Sequence, residues 1–150
     1  MRFVVQRVSN ASVAVENNVI GSIEPGFLVL IGITDSDTKE IADAMVKKLI
    51  NLRVFKDSQD KMNLSIKDVV GSLLLISQFT LYADCSHGNR PGFTQAAKPD
   101  FANELYEYII FKCRTYDVPV ETGEFGADMK VSLLNDGPVT IILDSDEIIK

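Results

Sequence analysis

The first third of the chain alternates apolar and polar side chains with the period of two that half-buried β-strands show. This alternation predicts strands over residues 3–8, 12–15 and 19–23. Asn17-Asn18 and Glu24-Pro25-Gly26 have the composition of the turns that would connect them. The chain is therefore expected to open with an antiparallel arrangement of strands.

A buried strand and two helices are predicted next. Residues 27–33 form a continuous apolar run, which is typical of a strand buried on both faces. Over residues 41–50 the apolar positions recur at helical spacing, and Asp37 followed by Glu40 resembles a capping box at the start of that helix. A second helix is predicted from Pro99, a residue favoured in the first turn, because one helical stripe after it is apolar: Phe101, Leu105, Ile109 and Cys113.

The remaining apolar runs predict further strands. They cover residues 73–82, 131–134 and 139–143. The segment Asn135–Pro138 separates the last two, and its Asp-Gly pair predicts an ordinary tight hairpin turn. Without internal repeats or linkers, the pattern indicates one strand-rich α/β domain that spans residues 1–150.

The composition agrees with a folded domain, and the charge of the chain is its only unusual feature. An apolar share of 46% and a charged share of 24% are typical of a folded domain and exclude a disordered chain. The net charge is −6, and residues 121–150 hold 7 acidic and 2 basic side chains against 14 and 13 in residues 1–120. This acidity argues against a protein that binds nucleic acid without specificity, DNA included, since such binding depends on neutralising phosphates.

Location and metal binding are limited by simple features of the sequence. The first residues lack the pattern of a signal peptide, and no apolar run is long enough to cross a bilayer. Two cysteines and one histidine do not make a disulfide framework or a zinc site. The sequence therefore predicts a cytoplasmic protein with no cofactor, metal or membrane partner.

The familiar catalytic patterns are not found in the sequence. Cys85-Ser86-His87 contains reactive residue types, but adjacent side chains of an extended chain point apart, so a polar loop is expected there. No glycine-rich phosphate loop precedes a helix, and no nucleophile elbow is present.

Polar residues interrupt the apolar run 73–82. Ser77, Gln78 and Thr80 would each cost about 1–3 kcal/mol if they were buried without partners. Either the strand emerges onto a hydrated face, or its end forms the wall of a site. Strict alternation places Gln78 and Thr80 on one face and Ser77 and Phe79 on the other, so a shared site requires a bulge or the end of the strand.

A second unusual feature lies in the predicted turn after residue 134. Pro138 directly follows Gly137, which removes a backbone N–H and permits a cis peptide bond. Pattern alone leaves this segment an ordinary turn.

Six strings in order along the chain carry a family resemblance. They are MRFVVQRVSNASVAVENNVIGSIEPGFLVLIGIT, NLRVFKDSQDKMNLSIKDV, SQFTLYAD at 77–84, GNRPGF at 88–93, ETGEFGADM at 121–129 and NDGPVT at 135–140. In these strings the sequence closely resembles the D-aminoacyl-tRNA deacylases, homodimeric editing hydrolases that remove D-amino acids from mischarged tRNA. The resemblance implies a mixed α/β fold of curved, barrel-like β-sheets with two main helices.

The resemblance also implies where the substrate binds. Ser77, Gln78, Phe79 and Thr80 would form the floor of the site that receives the aminoacyl-adenosine end of tRNA, and Phe125 and Met129 would line the pocket. Ordinary packing in the core or in a loop is the alternative interpretation of Phe125 and Met129.

Gly137 and Pro138 match the family's Gly-cisPro motif, which each subunit inserts into the site of the other. Its backbone carbonyls would hold the amino group of the substrate and leave no room for an L side chain, so glycyl-tRNA would also be admitted. Arg7 matches the residue that supports this motif, although a surface ion pair is its simpler interpretation.

Two mechanisms remain open. Thr80 could act as the nucleophile, but a threonine with no base beside it is poorly activated. The resemblance favours assistance by the terminal 2′-hydroxyl of the tRNA, with backbone N–H groups around Phe79 and Thr80 stabilising the oxyanion. Arg90, Lys98 and Lys130 are candidate cations for the RNA.

Two other classes of function remain as alternatives. The chain could be a non-catalytic module that binds aminoacyl-tRNA or nucleotides, or a hydrolase of small esters that needs no RNA.

Overall fold

A computed structural model describes residues 1–149 of the chain. Its elements, in chain order, are β1 (Arg2–Val15), β2 (Asn18–Ile23), β3 (Gly26–Gly32), α1 (Lys39–Asn51), β4 (Phe55–Lys56), β5 (Met62–Leu64), β6 (Ser72–Ser77), a 3₁₀ turn (Phe79–Tyr82), α2 (Pro99–Arg114), β7 (Val120–Thr122), β8 (Lys130–Asp144) and α3 (Ser145–Ile148). The predicted mixed α/β fold with a barrel-like sheet and two main helices is confirmed.

The sheet is organised around β1, which is long enough to serve several partners. Along one edge it pairs antiparallel with β3 through residues 2–8 and with β2 through residues 11–15. Along the other edge it pairs with β8 over nearly its whole length. The strands predicted separately at 3–8 and 12–15 are therefore one continuous strand.

The other half of the sheet is parallel, and it curls back toward β2. β6 pairs parallel with β3, and β7 pairs parallel with β6. The sheet nearly closes where β2 meets β7, since a Cβ on Gly21 would lie 2.8 Å from the carbonyl oxygen of Thr122. Only a residue without a side chain allows the two backbones to approach so closely.

Two apolar layers explain why the central strands are apolar on both faces. In β6, Leu73 and Leu75 face the helices, whereas Leu74 and Ile76 belong to a second cluster inside the curved sheet. β3 and β6 are therefore buried on both faces, as predicted for the run 27–33.

The start of α1 differs from the prediction. Thr38 is the N-cap, and its side chain accepts a hydrogen bond from the N–H of Ile41. Asp37 instead binds the amino group of Met1 at 2.8 Å and accepts a hydrogen bond from the N–H of Thr34. The capping box was wrong because Asp37 has a buried partner that is remote in sequence.

The hairpin predicted around Asn135–Pro138 is also wrong. Residues 131–134 and 139–143 both pair with β1, in one direction and along one edge, so they are two halves of β8. The segment between them is an excursion, which interrupts the pairing between the Gln6–Thr140 and Val8–Asn135 partners. A local pattern cannot distinguish such an excursion from a hairpin, because both place a turn between two apolar runs.

The apolar run 73–82 divides at the point where its polar residues begin. β6 ends at Ser77, and the 3₁₀ turn follows from Phe79 to Tyr82. No helix in residues 1–149 has the length and hydropathy needed to cross a bilayer.

Candidate active site

A cavity of about 620 Å³ opens where β3 and β6 end side by side. Apolar side chains make most of its wall: Ile31, Ile33, Ile76, Ala96, Ala97, Ala102 and Val131. A site of this size with few polar groups is typical of ligand pockets. Of the residues predicted from sequence, Ser77, Gln78, Phe79, Phe125 and Met129 line it.

The polar groups reach the cavity because the strand stops. The N–H of Gln78 makes a last bond to the carbonyl of Ile31 at 2.8 Å, and the backbone then turns. This change breaks the alternation, so Ser77, Gln78 and Phe79 all line the cavity although a strand would separate them. The strand end therefore forms a wall of the cavity, while its role as a binding site stays a prediction.

Thr80 lies at the exposed edge of this wall and does not line the cavity. Its hydroxyl oxygen accepts a hydrogen bond from the side-chain amide of Gln78 at 2.5 Å. The first hydrogen bond of the 3₁₀ turn runs from the N–H of Leu81 to the carbonyl of Gln78. The N–H groups of Phe79 and Thr80 precede that bond and therefore have no partner within the turn.

Two exposed phenylalanines form an apolar rim at the cavity. Phe79 is 56% exposed and meets Phe93 edge to face, with ring centroids 5.0 Å apart. Phe93 was not predicted as a site residue. It follows a loop that is closed by reciprocal backbone hydrogen bonds between Asp84 and Gly92, at 2.7 and 2.9 Å. The only sequence signal for it was a large apolar side chain at the end of a string of turn-forming and polar residues, 88–93.

The opposite wall comes from the chain after β7. Phe125 packs near the buried ring of Tyr106, with centroids 5.9 Å apart. The hydroxyl of Tyr106 donates to the carbonyl of Leu75 at 2.7 Å, and burial raises the pKa of this phenol well above its usual value. Tyr106 is therefore a neutral, fixed support for a wall that also includes Met129.

The remaining predicted residues lie together in a different place. Gly137 and Pro138, joined by a cis peptide bond, form the tip of the excursion in β8, and neither lines the cavity of its own chain. Asn135 supports the tip: its side-chain carbonyl accepts from the N–H of Val139 at 2.7 Å. We call residues 135–140 the Gly-Pro loop.

Arg7 fixes the Gly-Pro loop to the body of the chain. Its guanidinium is buried and donates to the carbonyl of Asp136 at 2.8 Å and to the carbonyl of Val54 at 2.6 Å. The carboxylate of Asp136 is farther away, at 3.9 Å, and is mostly exposed. The simple surface ion pair is therefore not the main interaction of Arg7, which is a buried donor to two backbone carbonyls.

The reactive-looking string 85–87 does not form a catalytic triad. The hydroxyl of Ser86 lies 2.6 Å from the carboxylate of Asp84 and 2.8 Å from Nδ1 of His87. In a triad the carboxylate orients the imidazole, whereas here it competes with the imidazole for the serine. Cys85 and these residues are exposed on a loop, as the sequence predicts.

The candidate cations have different environments. Lys98 lines the cavity at the start of α2, and Arg90 is exposed on the Asp84–Gly92 loop. Lys130 pairs with Asp128 at 3.2 Å. Within residues 1–149 no group of three potential metal ligands is found.

Comparison with known proteins places this arrangement in a family. The model of the D-Tyr-tRNA(Tyr) deacylase family matches residues 4–144. The chain belongs to this family.

Curated relatives agree with the family match over almost the whole chain. The D-aminoacyl-tRNA deacylase of Thermosipho africanus is 53% identical over 148 residues, which cover 99% of each protein. That of Clostridioides difficile is 54% identical over 98% of this chain and 99% of the relative.

Two solved structures show the same fold. One, described as c-Myc DNA Unwinding Element Binding Protein, matches with a TM-score of 0.89 and 40% identity over 96% of this chain and 98% of its own. The other, a probable eukaryotic D-amino acid tRNA deacylase, has a TM-score of 0.80 over 95% and 97% of the two chains. At 19% identity, the latter supports the fold alone.

Proposed function

We propose that this member of the family hydrolyses the ester bond of D-aminoacyl-tRNA and releases the free D-amino acid. The observation that carries the proposal is the end of β6, where Ser77, Gln78 and Phe79 line an apolar cavity in a chain whose curated relatives are deacylases along their whole length. The cavity supplies apolar surface for a base or an aromatic side chain, and the strand end supplies polar groups for the ester.

The N–H groups of Phe79 and Thr80 are proposed as the oxyanion site. They are left unpaired by the 3₁₀ turn, beside the Ser77 and Gln78 floor. Donors fixed in advance toward a developing negative charge are among the largest contributions to catalysis of acyl transfer.

The terminal 2′-hydroxyl of the tRNA is proposed to assist the attacking water. The Thr80 hydroxyl already accepts from the amide of Gln78, and an amide is not a base that could remove its proton. The histidine His87 is bound to Ser86 in the 84–92 loop. These contacts support the RNA-assisted mechanism over a threonine nucleophile.

A homodimer is proposed from the exposed edge of β8. This strand pairs only with β1 among the described strands, and it carries Leu133, Leu134 and Ile142 at 37%, 57% and 67% exposure. An unpaired edge with exposed apolar side chains is typical of an association surface. The Gly-Pro loop projects from the same strand, so dimerisation would carry it toward a second subunit.

The loop is proposed to select for chirality in the partner's cavity. Backbone carbonyls of Gly137 and Pro138 would accept hydrogen bonds from the substrate's ammonium group and would exclude an L side chain by contact. Glycine has no side chain to exclude, so glycyl-tRNA is proposed as a second substrate. Arg7 would act as a positioning residue for the loop. Because its substrate is charged tRNA, the enzyme is proposed to work in the cytoplasm.

The test compares hydrolysis of D-tyrosyl-, L-tyrosyl- and glycyl-tRNA with that of a D-tyrosine ethyl ester. We expect release from the D-tyrosyl and glycyl forms only, and no release when the terminal ribose lacks its 2′-hydroxyl. Cleavage of the ethyl ester would instead support a general esterase, and binding without any cleavage would support a non-catalytic module.

Thr80→Ala separates the two mechanisms. We expect it to keep kcat within about tenfold of wild type, whereas removal of a true nucleophile typically costs on the order of 10⁴ or more. A loss of that size with unchanged substrate binding and an unchanged melting temperature would make Thr80 the nucleophile.

A further inference from the structure

Residues 47–68 differ in charge from the rest of the molecule. In a chain of net charge −6 they hold six cations (Lys47, Lys48, Arg53, Lys56, Lys61 and Lys67) against three carboxylates (Asp57, Asp60 and Asp68). A positive region on an acidic protein indicates an anionic partner. Without such a partner, its only effect would be to reduce the electrostatic repulsion among the acidic side chains.

The cations Lys47, Lys48 and Arg53 lie together in a groove at the carboxyl end of α1, and we call them the basic patch. Within residues 1–149 none of the three has a carboxylate within ion-pairing distance. Arg53 is oriented by the backbone carbonyl of Asn63 at 3.1 Å. Arg53 also lies near Asp68, whose pKa is lowered chiefly by hydrogen bonds from Ser65 and to a smaller degree by the charge of Arg53.

The helix dipole does not account for the whole patch. A cation in the last turn, such as Lys48, is favoured by the partial negative charge of the helix C-terminus. Arg53 follows the C-cap Leu52, and its guanidinium donates to the carbonyl of Asn63 rather than to the last carbonyls of the helix. The groove also contains Asn51, which has an uncharged polar group suited to a phosphate oxygen.

The position of the patch connects it with the Gly-Pro loop. Arg53 directly precedes Val54, whose carbonyl accepts from Arg7 at 2.6 Å. The same guanidinium donates to the carbonyl of Asp136 at 2.8 Å, next to Gly137. The Arg53 end of the patch is therefore connected to the loop through one buried arginine, whereas no patch residue lines the cavity of its own chain.

We propose that the basic patch binds the phosphate backbone of the tRNA whose charged end lies in the cavity of the partner subunit. This inference rests on the proposed function, in which the Gly-Pro loop enters that cavity. Each loop then carries a set of cations to the entrance of the partner's site, where the cavity itself supplies only Lys98 among its lining residues. The loop that selects chirality and the patch that binds the RNA backbone would thus lie on the same side of the same subunit.

The experiment compares two variants that change the net charge equally. Lys47→Gln with Lys48→Gln removes two positive charges from the patch, and Lys39→Glu changes the charge by the same amount in the first turn of α1. Lys39 lies about 13 Å from Lys48 along the helix, farther than the screening length of about 8 Å at physiological salt.

The readout is kcat/KM for D-tyrosyl-tRNA and for D-tyrosyl-adenosine between about 50 and 200 mM salt. We expect the double variant to lose about tenfold on the tRNA at the lower salt and to flatten the salt dependence by about two logarithmic units per decade. On D-tyrosyl-adenosine it should match wild type, and Lys39→Glu should match wild type on both substrates. Equal losses in the two variants, or no loss on tRNA, would overturn the proposal.

Equilibrium binding of non-hydrolysable D-tyrosyl-tRNA separates this inference from the proposed function. If wild type cleaves neither substrate, the function is wrong, and binding by the same variants still decides whether the patch contacts RNA. A binding constant that is identical in wild type and the double variant at low salt would contradict the patch.

Mixed dimers test whether the patch serves the partner's cavity. Ala127→Trp would fill the cavity in one subunit, because Ala127 lines it. With the patch substitutions on the same chain as Ala127→Trp, the open site loses its patch and activity should fall about tenfold. With the substitutions on the other chain, activity should equal that of a dimer with one blocked site. The reverse result would place the patch beside its own cavity and overturn the proposal.

Discussion

Replacing Arg7 by methionine tests whether the Gly-Pro loop selects the substrate. Methionine has a similar length and fills the buried space, but it donates no hydrogen bond. The variant therefore loses the bonds from Arg7 to the carbonyls of Asp136 and Val54, at 2.8 and 2.6 Å. The 3.9 Å contact with the exposed carboxylate of Asp136 contributes little, as is usual for exposed ion pairs.

The two lost bonds have different consequences. Val54 is buried, so its carbonyl would be left without a partner, at a cost of about 1–3 kcal/mol in the free energy of unfolding. Asp136 is exposed, and its carbonyl can bind water, so the second loss mainly releases the loop. If that charged hydrogen bond contributes about 1.5 kcal/mol, the fraction of loops in the selecting position falls about tenfold.

The assay is the ratio of kcat/KM for D-tyrosyl-tRNA to that for L-tyrosyl-tRNA. We expect Arg7→Met to lower this ratio about tenfold, because the loop no longer holds the ammonium group or excludes the L side chain. Arg2→Met is the matched control: Arg2 also lies on β1 and donates at 2.9 Å to one carboxylate, of Asp144, and to one backbone carbonyl, of Leu81.

The control separates the effect on the position of the Gly-Pro loop from the effect on the stability of the fold. Both variants should lower the melting temperature, but only Arg7→Met should change the ratio of D to L hydrolysis. If the ratio stays within twofold in both variants, Arg7 has a purely structural role and the reasoning about the loop is wrong.

Two further predictions concern titratable groups. Burial raises the pKa of the Cys113 thiol to about 12, so only Cys85 should react quickly with a disulfide reagent in the folded protein. Cys85→Ser should abolish this fast phase, and a fast reaction of Cys113 would contradict its burial. Burial raises the pKa of Asp144, but the hydrogen bonds from Arg2 and from the N–H of Asp146 outweigh it and lower the pKa. The ionised carboxylate therefore stabilises the fold above its unfolded pKa of about 3.9, and this stabilisation is lost as the pH falls through the pKa of the folded state. Asp144→Asn should therefore lower the melting temperature at neutral pH and approach wild type near pH 2, and a gap that stays constant with pH would refute this assignment.

Hydrophobic periodicity predicted the elements whose environment is local or uniformly apolar. The helix at 41–50, the helix from Pro99 and the doubly buried strands β3 and β6 followed from it, since burial alone sets the pattern in those segments. Its failures involve partners that are remote in sequence. Asp37 binds the amino group of Met1 instead of capping α1.

The candidate site likewise contains residues that the local sequence predicts and residues that it does not. The polar interruption at 77–80 was visible in the sequence because polar residues at the end of a buried strand require partners. Phe93, in contrast, follows a loop that is closed by backbone hydrogen bonds between Asp84 and Gly92. Nothing in the neighbouring sequence predicts its contact with Phe79. The Gly-Pro loop resembled a hairpin for a related reason: both halves of β8 pair with β1, which a local pattern does not reveal.

The charge distribution now supports a more specific argument than the net charge did. Most of the acidity lies in residues 121–150, yet the residues of that segment that line the cavity are all uncharged: Phe125, Gly126, Ala127, Met129 and Val131. The cations cluster instead at residues 47–68, next to the loop that is proposed to enter the partner's site. An acidic protein repels RNA at most approaches, so its few basic regions determine the orientation in which a tRNA can bind. If the basic patch is that region, net charge and RNA recognition are compatible, because the acidic surface disfavours other approaches of the RNA and the patch favours the one next to the Gly-Pro loop.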